Sequence, residues 1–562
     1  MKYLSLLFCL IFSCIGAQNC TLTVTGTVKD FHDGTNIQDA TIYIQQINKH
    51  TTSNSNGVFT FTDLCKGEYT ISVSHLNCET KTFTSSVNDD TVIEVLMEHH
   101  IEELNEVTVK GETTKNTLTS QETLIKTDII EQYSSGNIGD ALKEVSGVSS
   151  INTGNTIVKP LINGLHSSRI IIMNNGVRLQ DQEWGIEHAP NVDINSAGSI
   201  SVIKGADALE FGGDAIGGTV IINPSKVVLK DSIYGKVLLS GQTNGRGYST
   251  SSSVSKTYEK GWYASAQASI KRFGDFEAPD YNLTNTGLNS KSFSINSGYK
   301  TFEKGFNVFY NYIDNEIGIL RASHLGNVED FERAISSNIP LTIDDFSYDI
   351  NNPKQEIKHH LAKVTFYKRL QSLGKLNVQY DFQNNRRFEF DLRRGNRDEI
   401  PAVDLKLTTH SLKANIKIDN NIKRVFNIGL VGSYQNNFAS PETGVRRLIP
   451  DYDRYDFGTF IISTLRLTNR TLLNAGLRYD FNRYDSKKFY ESNRWNELGY
   501  NQDFSDIILE DFGTELLTNP KFDYHNLSGS LGLSVNINEN NTINVNYSLS
   551  NRAPNPAELF SD

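Results

Sequence analysis

The sequence predicts a mainly β chain built in several domains: a small β-sandwich, an α+β domain, and an antiparallel transmembrane β-barrel that is incomplete at the C-terminus. Three observations predict it. Apolar and polar residues alternate in many successive segments beyond about Ser225, as in Ala264, Ala266, Ala268 and Ile270 against Ser265, Gln267, Ser269 and Lys271. Composition favours extended strands over helices, with 24 Tyr and 29 Phe against 3 Met and 12 Pro in 562 residues. Between Asn163 and Asn223 short apolar strands are punctuated by glycines at Lys204-Gly205, Phe211-Gly212-Gly213 and Gly217-Gly218, where backbone must approach something closely.

The N-terminus sets the compartment. Lys2 precedes an apolar stretch from Tyr3 to Ile15 and then Gly16-Ala17-Gln18, the pattern of a signal peptide cleaved after Ala17. Lipidation at Cys14 or Cys20 is the competing reading, with poor flanking contexts. After Ala17 no segment reaches the ~20 consecutive apolar residues of a spanning helix, a lack that leaves a closed barrel open as the means of crossing. The net charge of -11 argues against a nucleic-acid partner, whose phosphates would be repelled. Once the signal peptide is removed, Cys20, Cys65 and Cys78 remain. The strand pattern from Glu68 to Ser74 separates Cys65 from Cys78 by roughly 20 Å unless the chain doubles back, so a disulfide involving Cys20 is favoured over one between those two.

Residues 18–98 read as the sandwich. Alternating strands at Leu22–Val28, Ala40–Ile44, Val58–Phe61 and Tyr69–Val73 are joined by turn clusters, with Asn56-Gly57 as a hairpin signal. The layout of Gly26-Thr27-Val28, Asp39-Ala40, Asn56-Gly57-Val58-Phe59 and Lys66-Gly67-Glu68-Tyr69 resembles the carboxypeptidase regulatory-like domain. Nothing here looks like a peptidase active site.

Residues 99–115 form a polar linker carrying Leu104-Asn105-Glu106-Val107-Thr108-Val109. Val107 and Val109 project to one side between hydrophilic flanks, as in a segment that waits for a partner to add a strand. This stretch resembles the TonB box of TonB-dependent outer-membrane receptors. Residues 116–224 follow with a short helix from Asn137 to Leu142, strands at Pro160–Gly164 and Arg169–Met173, and the glycine run. That succession closely resembles the plug domain of the same family, with Lys204, Gly205, Gly212, Gly217 and Gly218 as its motif. A phosphate loop would need G-x-x-x-x-G-K-[ST] ahead of a helix, whereas Thr219-Val220-Ile221-Ile222 is β-branched and strand-like.

Residues 225–562 then read as the N-terminal part of the barrel, with roughly 12 to 14 strands against about 22 in plugged transporters. The stretch from Asn551 to Asp562 resembles an internal barrel motif of these receptors, and the expectation is a truncated chain whose open sheet edge would aggregate.

The resemblance implies active import of a scarce nutrient across the outer membrane, driven by TonB of the inner-membrane complex gripping Leu104–Val109. A metal ion or metal chelate (siderophore, haem or zinc) leads; an oligosaccharide importer of the starch-utilisation type and a non-transporting adhesin are the alternatives. Covalent chemistry is not expected, no cofactor is required, and outer-membrane lipid and a small-molecule or metal substrate are the other partners. For the substrate, Asp181, Glu187, His188 and Asp193 in the connector from Asp181 to Asp193 combine imidazole with carboxylates suited to a transition metal; local charge pairing on a plug loop is the competing reading. The connector also resembles the equivalent plug loop of receptors associated with zinc uptake. Arg386, Arg387, Arg393 and Arg394, with Arg397, could face an anionic chelate or lipopolysaccharide, or pair with Glu389 and Asp391. His359-His360 adds little, because neighbours on a strand face opposite ways.

Overall fold

The computed structural model describes residues 20–560 except 32–33, 76–77, 98–112, 118, 154–155, 181–187, 205, 226, 228–229, 302, 324–327, 371–372, 394, 396, 422, 469 and 539–540. The signal-peptide segment, the TonB-box segment Leu104–Val109, and Asp181, Glu187, Gly205 and Arg394 therefore lie outside the described residues. The chain divides into two compact units, residues 1–109 and 110–562.

In the first unit, β1 (Leu22–Asp30), β2 (Thr41–Ile44), β3 (Lys49–Thr52), β4 (Val58–Leu64), β5 (Gly67–His75), β6 (Cys78–Val87) and β7 (Thr91–Met97) form two sheets, ordered β4-β1-β7 and β3-β2-β5-β6. The period-2 pattern buries Val24, Val28, Ile42, Ile44, Phe59, Phe61, Ile71 and Val73 in one core. Cys20 is bonded to Cys65, and Cys78 is free. Asn56-Gly57 makes its turn, with Gly57 at φ +70°, but the strands on either side do not pair as a hairpin. β3 pairs with β2 and β4 with β1, so the turn carries the chain from one sheet to the other. A turn signal specifies the reversal and not the partner, which core packing chooses.

The second unit opens with β8 (Thr113–Thr117) and β9 (Ser120–Ile125), then α1 (Thr127–Gln132) and α2 (Ile138–Leu142). α2 starts at a capping box in which Asn137 and Asp140 satisfy each other's backbone N–H. After a hairpin of β10 (Val148–Thr153) and β11 (Ile157–Ile162) come β12 (Ile170–Asn174), β13 (Val177–Arg178), β14 (Ser199–Lys204) and β15 (Gly218–Asn223). These complete a mixed sheet of order β13-β12-β15-β14-β9-β8. The glycine run thus ends in an inner strand, parallel to β12 and antiparallel to β14. Gly218 sits at φ +132°, where a Cβ would lie 2.6 Å from the Ile203 carbonyl oxygen, so only glycine fits.

The rest is an antiparallel meander. β16 (Ser232–Gln242), β17 (Gly247–Thr257) and β18 (Trp262–Phe273) lead to a small loop hairpin, β19 (Phe276–Glu277) and β20 (Asn282–Leu283). β21 (Leu288–Lys300), β22 (Lys304–Gly318), β23 (Lys354–Leu370), β24 (Gly374–Phe390), β25 (Val403–Asn421), β26 (Arg424–Ala439), β27 (Asp451–Arg466) and β28 (Thr471–Glu491) continue it. A loop hairpin, β29 (Ile508–Asp511) and β30 (Glu515–Thr518), extends β28 before β31 (Lys521–Asn538) and β32 (Asn541–Leu549) close the series. Among the described residues β16 pairs only with β17 and β32 only with β31, so the sheet is not closed. From β17 onward, short turns such as 258–261 and 301–303 alternate with long connections such as 319–353 and 492–520, so one end of the sheet is plain and the other carries the loops.

Burial in this sheet is inverted relative to a soluble sandwich. Inward positions are polar and buried, among them Gln267, Ser269, Asn311, Gln383, Asn385, Gln435 and Asn482. Outward positions are apolar and exposed, among them Ile270, Val364, Leu412, Leu430, Phe457, Leu477, Leu527 and Val545. The same period-2 alternation serves either kind of sheet; only an apolar solvent outside and a wet interior make this orientation favourable.

Candidate functional site

The lumen is filled by the domain of residues 113–223, and the interface between the two combines hydrogen bonds with apolar contacts such as Phe309 and Leu361 against the plug core and Ile157 against Ile317 and Ile357. At its centre is the β12–β13 hairpin, whose turn residues Asn175 and Gly176 have φ of +49° and +76°, the two positive values that an Asn-Gly type I′ turn supplies. Two adjacent strands of the wall grip this turn. Lys363 on β23 donates to the Asn175 carbonyl at 2.7 Å, Gln379 on β24 to the Gly176 carbonyl at 3.0 Å, and Gln383 on β24 to the Arg178 carbonyl at 2.9 Å. Gln383 also accepts from the Gln180 N–H at 3.1 Å.

Beside the turn Arg178 makes a two-pronged ion pair with Asp214. Burial alone would push the Asp214 carboxyl up, but Arg178 outweighs it and holds it below the ordinary range. Gly212 is the reason the pair fits, because a Cβ there would lie 2.4 Å from Asp214 Oδ1. The wall opposite repeats one device on adjacent strands. Arg454 binds Asp456 at 2.7 Å and Arg478 binds Asp480 at 2.7 Å, each within an Arg-Tyr-Asp tripeptide whose first and third residues face inward. Gly458 faces Asp480 across the strands, and a Cβ there would lie 2.5 Å from Asp480 Oδ1. Between plug and wall these groups line a cavity of about 140 Å³ that includes Arg178, Asp214, Lys413, Arg454, Arg478 and Arg552, with room for several waters.

Two of the sequence-predicted sets meet at the wall. His188, 3% exposed, bonds Glu389 on β24 through Nε2 at 2.7 Å, and Arg387, fully buried, lies 3.7 Å from the same carboxylate oxygen. Burial and the Arg387 charge push the His188 imidazole below its usual pKa, and the hydrogen bond to Glu389 only partly opposes them. His188 therefore anchors the connector to the wall as a neutral ring. Asp193 is placed elsewhere, against β18 and β21. It accepts from Gln267 at 3.0 Å and from Ser292, and it faces Lys271, which donates to the Gly136 carbonyl. Burial alone would raise this carboxyl; Lys271 and the hydrogen bonds from Ser269, Ser292 and Gln267 bring it below the ordinary range. Among the described residues no group of three His, Cys, Asp or Glu is arranged to hold a metal ion.

The arginine cluster divides by strand parity. Arg387 faces the lumen, whereas Arg386 points outward, lying over the Phe388 ring at 4.7 Å and pairing with Asp404 at 3.2 Å. Arg393 sits in the following loop and donates to the Ile400 and Thr443 carbonyls at 3.3 and 2.9 Å. His359 and His360 likewise part, the first buried inward and the second outward beside Tyr310 and Tyr312. Of the plug motif, Lys204 donates to the Ser146 carbonyl and Gly217 packs on Ile170 and Leu165, while Gly213 beside Gly212 approaches the Asn551 carbonyl. That last contact brings the Asn551–Pro556 stretch into the lumen, where Arg552 and Glu558 form a two-pronged pair. The wall residues Lys271, Lys363, Gln379 and Gln383 were not singled out from sequence. Their signal is the polar member of each alternating pair, which marks a wet face without saying what fills it.

Comparison with known proteins gives matches to three successive domains from residue 24 onward. Residues 24–109 match the CarboxypepD_reg-like domain and residues 114–219 the TonB-dependent receptor plug domain. The copper transporter OprC is similar in structure at 14% identity, with a TM-score of 0.59 over 81% of this chain and 66% of that one. The ferric-catecholate import receptor Fiu from E. coli K12 follows at 13% identity and 0.57, over 79% of this chain and 71% of that one. The hemophore receptor HasR of Serratia marcescens, solved with its hemophore and heme, gives 13% and 0.56 over 78% and 64%. This chain thus spans about two thirds of the length of these solved receptors. The TonB-dependent receptor-like β-barrel model matches residues 229–562, more than half of the sequence, and the chain belongs to the TonB-dependent receptors.

Proposed function

We propose that this receptor imports a metal ion or metal chelate across the outer membrane, using TonB as its motor. The observation that carries the reading is the polar seating of the plug. Lys363, Gln379 and Gln383 hold the Asn175-Gly176 turn through backbone carbonyls, and each such bond is worth about 1 kcal/mol net because water can replace it. A plug seated this way blocks passive flow, and its hydrogen bonds at this turn can be exchanged for bonds to water when it shifts. The outer membrane offers no nucleotide energy, so the pull must come from a partner, and Leu104–Val109 is the strand-like segment such a partner would grip.

The connector from Asp181 to Asp193 is the proposed substrate-facing element. It is tied down at His188 next to the last residues of β24, close to the long connection 391–402 at the loop-bearing end. Fold-mates named for copper, ferric-catecholate and heme uptake support a metal or chelate as the cargo class. The test is deletion of residues 104–109 with growth measured on a panel of limiting metals, haem, siderophores and glycans. Loss of uptake with surface display intact is expected; unchanged uptake refutes the TonB coupling, and rescue confined to glycans refutes the cargo class.

A further inference from the structure

The two sheets of the N-terminal domain present four strand edges, and three of them are blunted. On β7 the Leu96 carbonyl accepts from Lys81 at 3.1 Å, and on β4 the Thr62 carbonyl accepts from Lys49 at 3.0 Å. A lysine from the facing sheet thus caps each edge of the β4-β1-β7 sheet. β3, one edge of the other sheet, is only four residues long. Edge lysines and short edge strands are devices that keep a sheet from adding further strands. The fourth edge is built the opposite way. β6 runs for ten residues, with threonine, serine and phenylalanine through its centre and neither glycine nor proline. It pairs with β5 alone, and among the described residues no side chain caps the backbone groups of its outer edge.

The sequence of β6 is also complementary to itself. Thr80, Thr82, Thr84 and Ser86 are exposed on one face, and Phe83 is half-buried on the other, against the domain's own core. On the exposed face hydroxyls already oppose one another between β5 and β6, Ser72 to Thr82 and Thr70 to Thr84. An antiparallel copy of β6 with Phe83 on the two-fold axis continues these rows. Thr82 then lies opposite Thr84, Thr80 opposite Ser86, Lys81 opposite Ser85 and Glu79 opposite Val87. No like charges meet in this register, and the two Phe83 rings come together at the axis. Cross-strand hydroxyl pairs and aromatic pairs both favour such a match.

We propose that the outer edge of β6 is an interaction surface whose partner is a second copy of this chain. Antiparallel pairing of β6 with β6 joins the two four-stranded sheets into one continuous sheet. Strand addition of this kind supplies main-chain hydrogen bonds along the whole edge, while alternate side chains set the register. An isologous pair needs a two-fold axis, and two receptors inserted the same way in one membrane can be related by an axis along the membrane normal. The inference is independent of what the barrel carries.

The test uses the full chain purified in detergent, with native mass spectrometry over a concentration series as the readout. Wild-type chain at micromolar concentration should be dimeric. Thr82→Lys with Thr84→Lys sets lysine opposite lysine twice across the axis and should weaken dimerisation by about tenfold or more. Thr82→Lys with Thr84→Glu sets opposite charges face to face and should restore it. Both threonines are exposed, so neither variant disturbs the core, and circular dichroism checks that the sheets are intact. A monomeric wild type, which leaves the edge to a strand of a different protein, overturns the proposal. A dimer held instead by the open barrel edges β16 and β32 survives the double lysine substitution, and that result overturns it too, as does a dimer that both variants lose. The assay contains no transport step, so its outcome is separate from that of the uptake experiment.

Discussion

Asp193→Ala should loosen the plug more than any other single polar truncation at the wall. Asp193 and Lys271 are each 7% exposed and influence each other's charge across the plug–barrel boundary without a direct ion pair. The carboxylate also accepts from Gln267 and Ser292 on two different strands. Removing the carboxylate leaves Gln267 and Ser292 without their acceptor and Lys271 without its nearby counter-charge, at about 3 kcal/mol. These losses belong to one network and are not added separately. At 1.36 kcal/mol per tenfold, the open population of the connector should rise roughly 150-fold. Amide hydrogen exchange over residues 188–204 reads this directly. Asp193→Asn, which keeps the shape and one acceptor, should show a smaller rise, and Asp193→Ala with Lys271→Met should recover more than about 1 kcal/mol because no charge is stranded. An exchange rate within a factor of about two of wild type in Asp193→Ala would refute the view that Asp193 fastens the plug.

Acidification should weaken the other anchor. His188 has a folded-state pKa below its unfolded value of about 6.5, so its contribution is complete above that pH and is lost as pH falls from 6.5 through the lowered folded value, where only the unfolded ring takes a proton. The protection factor of amides near residue 188, which removes the intrinsic pH dependence of exchange, should fall over that window in the wild type and stay flat in His188→Gln. In the N-terminal domain, Cys65→Ser should cost about 4 kcal/mol, the chain-entropy value for a loop of 45 residues, read as faster exchange in β1 and β5. Burial, with Asp30 nearby, pushes the Cys78 thiol up to about 11, so iodoacetamide at pH 8 should label it far more slowly than a peptide cysteine.

Periodicity made much of the architecture legible. Dyad alternation located the strands of the sandwich and of the barrel, and the Asn137–Leu142 segment located α2. What alternation left undetermined was which face looks inward: Ala264 to Ile270 read equally well as the core face of a soluble sandwich. The site was less legible, because its members come from distant strands. Glu389 meets His188, Lys271 meets Asp193, and Gln383 meets Gln180 only once the sheet curls around the plug.

Sequence alone determined the order of parts, the strand periodicity, the glycine positions where backbone must come close, and the separation of His359 from His360. These follow from local sterics and from a side-chain period of two. Tertiary structure decided the partners. It turned Asn56-Gly57 from a hairpin into a crossing between sheets, and it divided the Asp181–Asp193 connector between two anchors on the wall. Register and enclosure are collective outcomes of many inter-strand bonds and one buried interface, and no window of sequence contains them.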